Sequence, residues 1–134
     1  MAKNGKIGVK SYNIYTRART CNNVAPKGGG RMESERAIER WLGDELRQAG
    51  FLYFKFVSPA NPGVPDRIVV CPDGAVFFVE LKTVKGVLSK QQQVCIRQLT
   101  ERHAKVYLVK GMEDAWYFAE QLVRYHGMGG VSHG

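Results

Sequence analysis

The sequence lacks a long apolar run, a cysteine framework and, over residues 1–31, any acidic side chain. Its apolar run at 75–79, which no other run exceeds, is far shorter than the roughly 20 residues that span a bilayer, and its polar start lacks the apolar segment of a signal peptide. Three widely spaced cysteines argue against a disulfide framework and a zinc knuckle. We therefore expect a cytoplasmic protein without a membrane partner, with plain thiols at Cys21, Cys71 and Cys95.

The length and composition fit one globular domain. A chain of 134 residues is too short for two independently cored enzymatic domains. Hydrophobic residues make up 44% and charged residues 24%, which is the ordinary globular range and predicts a packed core. Because Pro26-Lys27-Gly28-Gly29-Gly30 has the composition of a linker, we expect three regions: a basic arm with its linker (1–31), a globular domain (32–126) and a glycine-rich tail (127–134).

Nearly all of the net charge of +8 lies in the arm. Residues 1–31 carry seven basic side chains and no acidic one, whereas the other 103 residues carry 13 basic and 12 acidic side chains. This asymmetry predicts either a polyanionic partner, with nucleic acid as the first candidate, or a solubilising terminus.

Apolar periodicity predicts the order helix, three strands, helix, strand, helix, which describes an α/β layered domain. The first helix rests on the spacing of Ile38, Leu42 and Leu46, and Gly50 ends that pattern. Three prolines within 58–65 predict a loop. The predicted helices span about 34–49, 89–103 and 113–125, and the predicted strands span 51–57, 66–71, 75–82 and 105–109.

The turn between the second and third strands predicts a cluster of charged residues. Pro72-Asp73-Gly74 is typical of a three-residue hairpin loop, a type I turn closed by a left-handed glycine, and it sets a register in which Asp66 faces Glu80. Because side chains alternate along a strand, Lys82 lies on the same face as Glu80. The open end of the hairpin therefore gathers two carboxylates and a lysine.

Carboxylates directly opposite each other are destabilising, so this pair needs a raised pKa or a cation. Oxygen ligands suit Mg²⁺ or Mn²⁺, and Lys82 can orient a water or stabilise charge, so hydrolysis of a phosphodiester is the reaction that these parts fit. The alternative is that these residues have no catalytic function, because a Glu-x-Lys string is frequent by chance. The two strands are apolar on both faces, which predicts that both faces are covered and that charges at one end are expensive.

Two more residues are candidates for this site, each with a structural alternative. Gln92 lies on the inward stripe of its helix and could reach a phosphate, but 89–92 also reads as a capping box in which Gln92 only caps the helix. Glu35 lies in the first turn of the first helix, where a carboxylate also compensates the helix dipole. The three histidines are predicted to be bystanders: His103, His126 and His133.

Five segments, in order and over about 32–125, resemble the virus-type replication-repair nuclease (VRR-NUC) domain of the PD-(D/E)xK nuclease superfamily. They are Glu35, YFKFVSP (53–59), GVPDR (63–67), VELK (79–82) and GVLS (86–89) with Gln92. The resemblance implies a restriction-endonuclease-like fold, with a mixed central β-sheet flanked by helices. It also implies a divalent-metal-dependent DNA endonuclease that acts in repair on branched or flapped DNA, and no small-molecule cofactor.

The resemblance further implies a role for each matching residue. Asp66, Glu80 and the main-chain carbonyl of Leu81 would hold Mg²⁺ or Mn²⁺, and Glu35 would act through water or a second ion. Lys82 would serve the nucleophilic water.

Gln92 would steady the lysine or the water.

The chain is similar to single-domain members of the family that look like Holliday-junction resolvases when they pair as homodimers. The resemblance therefore implies a homodimer. If the chain is viral, the expected compartment is the host cytoplasm. Tyr117, predicted to lie on the outward face of the last helix, is a weak pointer to a partner surface.

Two other functions stay open. One is a nucleic-acid-binding module without catalysis, and the other is a restriction-like or RNA-processing nuclease of the same superfamily. Basic side chains are predicted to contact phosphates: Lys55, Lys85, Lys90, Arg17, Arg19, Lys27 and Arg31.

Overall fold

Helix α1 (Glu35–Gln48) is the first element of the described part of the chain, residues 33–127 of a computed structural model. The Ser34 side chain caps α1 by accepting a backbone N–H three residues further on, at 3.0 Å. Gly50, at φ 91°, follows the helix as predicted. Three fully buried residues at four-residue spacing form its inner stripe: Ile38, Leu42 and Leu46.

Four strands form one mixed sheet in the order β1-β2-β3-β4. The pairs β1–β2 and β2–β3 are antiparallel, and β4 runs parallel to β3. The mixed sheet flanked by helices that the sequence and the resemblance predict is therefore confirmed. The strands are β1 (Leu52–Lys55), β2 (Arg67–Val70), β3 (Val76–Lys82) and β4 (Lys105–Lys110).

The β2–β3 turn has the predicted geometry. Gly74, at φ 94°, donates its N–H to the carbonyl of Cys71 at 2.8 Å, and the N–H of Cys71 donates to the carbonyl of Ala75 at 2.8 Å. Beyond the turn, Ile68 pairs with Phe78, so the predicted register is confirmed.

Two further helices complete three layers. Helix α2 (Lys90–Glu101) connects β3 to β4, and α3 (Gly111–His126) follows β4 directly. Residues of α1 and α3 share the main core with one face of the sheet. Helix α2 packs on the other face, where its Ile96 lies in a small cluster with Val106 of β4. Helices α1 and α3 also contact each other.

The α2 side of the sheet is only partly covered, which corrects the prediction that both faces of the hairpin are closed. Val76 is 42% exposed, and Leu52 and Phe54 on the neighbouring edge strand are about half exposed. The register places all three on the face that α2 packs against. The reason is geometric, because α2 lies over β4 and leaves the β1 side open.

Several element ends differ from their predicted positions. The first strand stops at Lys55 instead of 57, and the last helix starts at Gly111, two residues earlier than predicted. The tyrosine predicted to face outward, Tyr117, is buried, on a helix that packs against α1 as well as the sheet. No helix within 33–127 is long and apolar enough to cross a membrane. The arm and residues 128–134 lie outside the described residues.

Candidate active site

Glu80 lies near the end of β3 and is the central residue of the candidate site. Its side chain is only 7% exposed and lies on the α2 face of the sheet. The last β2–β3 pair is Arg67 with Val79, so one further step of the same register sets Asp66 opposite Glu80, just outside the strand. The side chain of Asp66 is half exposed. The structure thus brings the two predicted carboxylates to one strand end.

The surroundings of Glu80 disfavour its charge. Burial raises the pKa of Glu80 to about 7, and the negative charges of Asp66 and Glu35 raise it as well. Lys82 and Arg67 lower this pKa, but they do not outweigh the other effects. Glu80 is thus a buried carboxyl whose pKa lies near neutral pH, beside two other acids. A cation bound next to it would stabilise its charged form.

Lys82 reaches the same carboxyl group. Its Nζ lies 3.8 Å from Oε2 of Glu80, and its side chain is 17% exposed. This confirms the predicted face, since residues two apart on a strand point the same way. The ammonium group therefore lies where it can donate to a ligand that approaches Glu80.

Gln92 caps its helix, which is one of the two alternatives that the sequence left open, and it also contacts Glu80; its contact with a phosphate stays a prediction. Its Oε1 accepts the N–H of Ser89 at 2.8 Å, and the Ser89 hydroxyl oxygen accepts the backbone N–H of Gln92, so the capping box is present. Its Nε2 donates to Oε2 of Glu80 at 3.0 Å. One amide side chain thus fixes the start of α2 against the acid on β3.

Glu35 lies at the start of α1 with an exposed side chain, and its charge acts on Glu80. Leu81 packs its side chain into the main core. Only the main chain of Leu81 is therefore available to a ligand on the other face, and its assignment as a metal ligand stays a prediction.

Arg67 is a site residue that sequence reasoning missed. It is 8% exposed, on the core face of β2, and its Nη2 lies 3.3 Å from Oε1 of Glu39. Its Nη1 lies 3.1 Å from Oδ2 of Asp66 and donates to the Asp66 carbonyl at 3.0 Å. The signal for it in the sequence was strand alternation, which puts this arginine on the same buried face as Val69. A buried guanidinium needs partners. Arg67 holds the Asp66 carboxylate in place.

The exposed lysines predicted to contact phosphates lie in different parts of the surface. Lys55 ends β1, and Lys85 lies in the loop before α2. Lys90 lines an open cavity of about 450 Å³ between α2 and the loop 60–64. Arg17, Arg19, Lys27 and Arg31 lie outside the described residues. Phosphate contact by all seven stays a prediction.

A second group of polar residues was also missed from the sequence. His126, predicted to be a bystander, bonds through Nδ1 to Oδ2 of Asp73 at 2.7 Å, close to Cys71. Burial raises the pKa of Cys71 to about 12, so this thiol stays protonated near neutral pH. The pairing joins the two ends of the segment 73–126, which local sequence cannot indicate.

A family model identifies the family of this chain. The VRR-NUC domain model matches residues 19–113. "Putative nuclease p44" of Acyrthosiphon pisum secondary endosymbiont phage 1 is 48% identical over 52 residues, 39% of this chain and 56% of that protein, so the match spans little more than half of the relative.

A solved structure named "VRR_NUC domain" has a TM-score of 0.58 and 22% identity, and the similarity covers 69% of this chain and 96% of that chain. At this identity the structural similarity supports the fold alone. The family model matches well over half of the chain and includes the positions of Asp66, Glu80 and Lys82. The chain belongs to the VRR-NUC domain family.

Proposed function

We propose that this VRR-NUC protein is a divalent-metal-dependent DNA endonuclease. Family membership and the nuclease-named relative support hydrolysis of nucleic acid. The observation that carries the more specific proposal is the environment of Glu80, a buried carboxyl at a strand end with a second acid and a lysine around it. A carboxylate in such a place is stabilised most by a cation that binds together with the substrate phosphate.

The donors at this end of the sheet fit Mg²⁺ or Mn²⁺. Carboxylate oxygens of Asp66 and Glu80 would hold the ion together with the main-chain carbonyl of Leu81, and Glu35 would contribute through water. An all-oxygen set with partly exposed members suits a hard cation that keeps several water ligands. When bound, the ion supplies charge neutralisation to the scissile phosphate and lowers the pKa of water.

The remaining residues prepare the site. Gln92 donates to Glu80 and holds its carboxyl toward α2. Lys82, at 3.8 Å from the same oxygen, would orient the attacking water or stabilise charge on the phosphate. Arg67 fixes Asp66 from the core side, so both acids are held before substrate arrives.

We propose branched or flapped DNA as the preferred substrate, and the cytoplasm as the compartment. The support for a branched substrate is the family resemblance alone. The basic arm supports a polyanion in general, because seven positive charges without an acidic residue attract phosphates of any shape.

A homodimer follows from the same proposal, because coordinated cutting of two strands needs two sites. The exposed apolar residues Leu52, Phe54 and Val76 support a second copy as the partner of this open sheet face. Light scattering should give a dimer for the wild type and a monomer for Phe54→Asp. A monomeric wild type under all salt conditions contradicts the dimer.

The alternative is a binding module without catalysis. The open cavity beside Lys90 is compatible with such a role. The raised pKa of Glu80 favours catalysis instead, since a site that only holds phosphate gains nothing from a buried acid.

The experiment compares cleavage of labelled four-way junction, flap, splayed-arm, duplex and RNA substrates, each with Mg²⁺, Mn²⁺ or EDTA. We expect cleavage with either ion, none in EDTA and the fastest reaction on a branched DNA. Equal rates on duplex and branched DNA contradict the substrate preference alone. Binding without cleavage under every ion contradicts the nuclease proposal.

A further inference from the structure

The closed end of the β2–β3 hairpin holds a second group of potential ligands, far along the sheet from Glu80. Cys71 follows β2, Asp73 lies in the turn and His126 ends α3. One donor atom from each of the three residues, a sulfur, a carboxylate oxygen and an imidazole nitrogen, lies within 4.8 Å of the others. Two separate parts of the chain, the hairpin turn and the end of α3, therefore converge at this point.

Neighbouring groups orient the three donors. Oδ1 of Asp73 accepts the N–H of Ala75 at 3.0 Å, which leaves Oδ2 directed to Nδ1 of His126 at 2.7 Å. The Phe77 ring meets the imidazole edge to face, with ring centroids 5.5 Å apart. Cys71 is 3% exposed, and its backbone is held in the hairpin ladder. Such outer contacts are what orients the ligands of a metal site.

We propose that Cys71, Asp73 and His126 form a binding site for Zn²⁺ or a similar transition-metal ion. The mixed sulfur, nitrogen and oxygen set suits zinc, with water as the fourth ligand, whereas Mg²⁺ and Mn²⁺ prefer oxygen alone. This site therefore differs in chemistry from the carboxylate cluster at the other end of the hairpin.

Little movement is needed to admit the ion. Donor atoms around a tetrahedral zinc lie about 3.3 to 3.6 Å apart, given its usual bond lengths. The 2.7 Å contact between Asp73 and His126 must open by less than about 1 Å, and the Cys71 sulfur, within 4.8 Å of the other donors, must approach by about 1 Å. The ion then displaces the proton between Asp73 and His126 and the thiol proton of Cys71, both of which leave to solvent. Asp73 lies in an exposed turn and His126 is the last residue of its helix, so both can adjust. Bound metal would fasten the hairpin turn to the end of α3.

Cobalt(II) is the probe that tests this site, because thiolate coordination gives it an absorption that oxygen ligands do not. The full chain is stripped with EDTA and titrated with cobalt, then with zinc. We expect a thiolate-to-cobalt charge-transfer band with tetrahedral visible bands, saturating at one equivalent and displaced by zinc. Cys71→Ser and His126→Gln should each abolish the charge-transfer band.

Matched controls separate this site from other thiols and from the acid cluster. Cys95→Ser, Cys21→Ser and Glu80→Gln should all keep the charge-transfer band. The absence of that band in the wild type, its survival in His126→Gln or its loss in Cys95→Ser overturns the proposal. Because Cys71→Ser alters the core, a second measurement uses His126→Gln: zinc should raise the melting temperature of the wild type and leave that of this variant unchanged.

Discussion

Glu80 connects protonation to stability at the scale of a single residue. Its folded-state pKa of about 7 exceeds the ordinary 4.5, so the folded chain binds this proton more tightly than the unfolded chain does. The stability present below about pH 4.5 is therefore lost as pH rises to about 7, by up to roughly 3 kcal/mol. In EDTA, Glu80→Gln should gain stability relative to the wild type across that window.

Urea unfolding near pH 5 and near pH 8 measures this difference. The exposed Glu101 provides the control, since Glu101→Gln should keep a constant difference from the wild type. A constant difference for Glu80→Gln as well contradicts a buried, charge-disfavouring site. Added Mn²⁺ should reduce the gain of Glu80→Gln, because it stabilises the charged wild-type carboxyl.

Gln92 and Ser89 form a matched pair that separates capping from positioning. Both Gln92→Ala and Ser89→Ala break the capping box and should cost about 1 kcal/mol in thermal unfolding. Only Gln92→Ala removes the donor to the Glu80 carboxylate, so it alone should move the pH–rate profile of cleavage to higher pH. An equal movement in Ser89→Ala contradicts a positioning role for Gln92.

The sequence predicted part of the site residue by residue. Asp66, Glu80 and Lys82 followed from a local turn and the alternation of a strand, which are properties of neighbouring residues. The contacts of Arg67 with Glu39 and of His126 with Asp73 join distant segments. No local pattern indicates such partners, although a buried arginine position could have prompted a search for them.

At the scale of the element, two glycines lie where the chain turns at the end of a strand: Gly74 in the β2–β3 turn and Gly111 directly after β4. Gly74 and Gly111 both have positive φ, at 94° and 87°. A Cβ at Gly74 meets nothing within 4 Å, so Gly74→Ala should cost only the backbone strain, about 1 kcal/mol. A Cβ at Gly111 comes within 2.5 Å of the Val84 side chain, so Gly111→Ala should cost more. Urea unfolding ranks the two, and equal costs contradict the close approach of Val84.

Elements were predictable where their causes are local. The hairpin register followed from Pro72-Asp73-Gly74, and the first helix from its apolar spacing and its cap. The open side of the sheet was not predictable, because it depends on where α2 lies across β3 and β4. Tyr117 illustrates the same limit, since its burial depends on tertiary packing around α3 and not on the periodicity of that helix.

At the scale of the whole molecule, the charge is divided between an arm and a nearly neutral domain. Each phosphate neutralised adds about 0.9 to the slope of log affinity against log salt for duplex DNA. Deleting residues 1–31 removes seven positive charges and should flatten this slope in a binding titration with EDTA present. An unchanged slope contradicts phosphate contact by the arm.

The domain itself is nearly neutral in net charge, and it carries an acid cluster at one end of the sheet. This cluster is the proposed site of cleavage. Lys82→Ala removes the ammonium group beside Glu80, whereas Lys105→Ala makes the same charge change at the other end of the parallel β3–β4 pair. The most direct measurement is the Mg²⁺- or Mn²⁺-dependent DNA cleavage rate of these two variants, with the fold checked by circular dichroism. We predict a loss of about 100-fold or more for Lys82→Ala and a wild-type rate for Lys105→Ala. A folded Lys82→Ala that cuts at the wild-type rate contradicts the proposed active site.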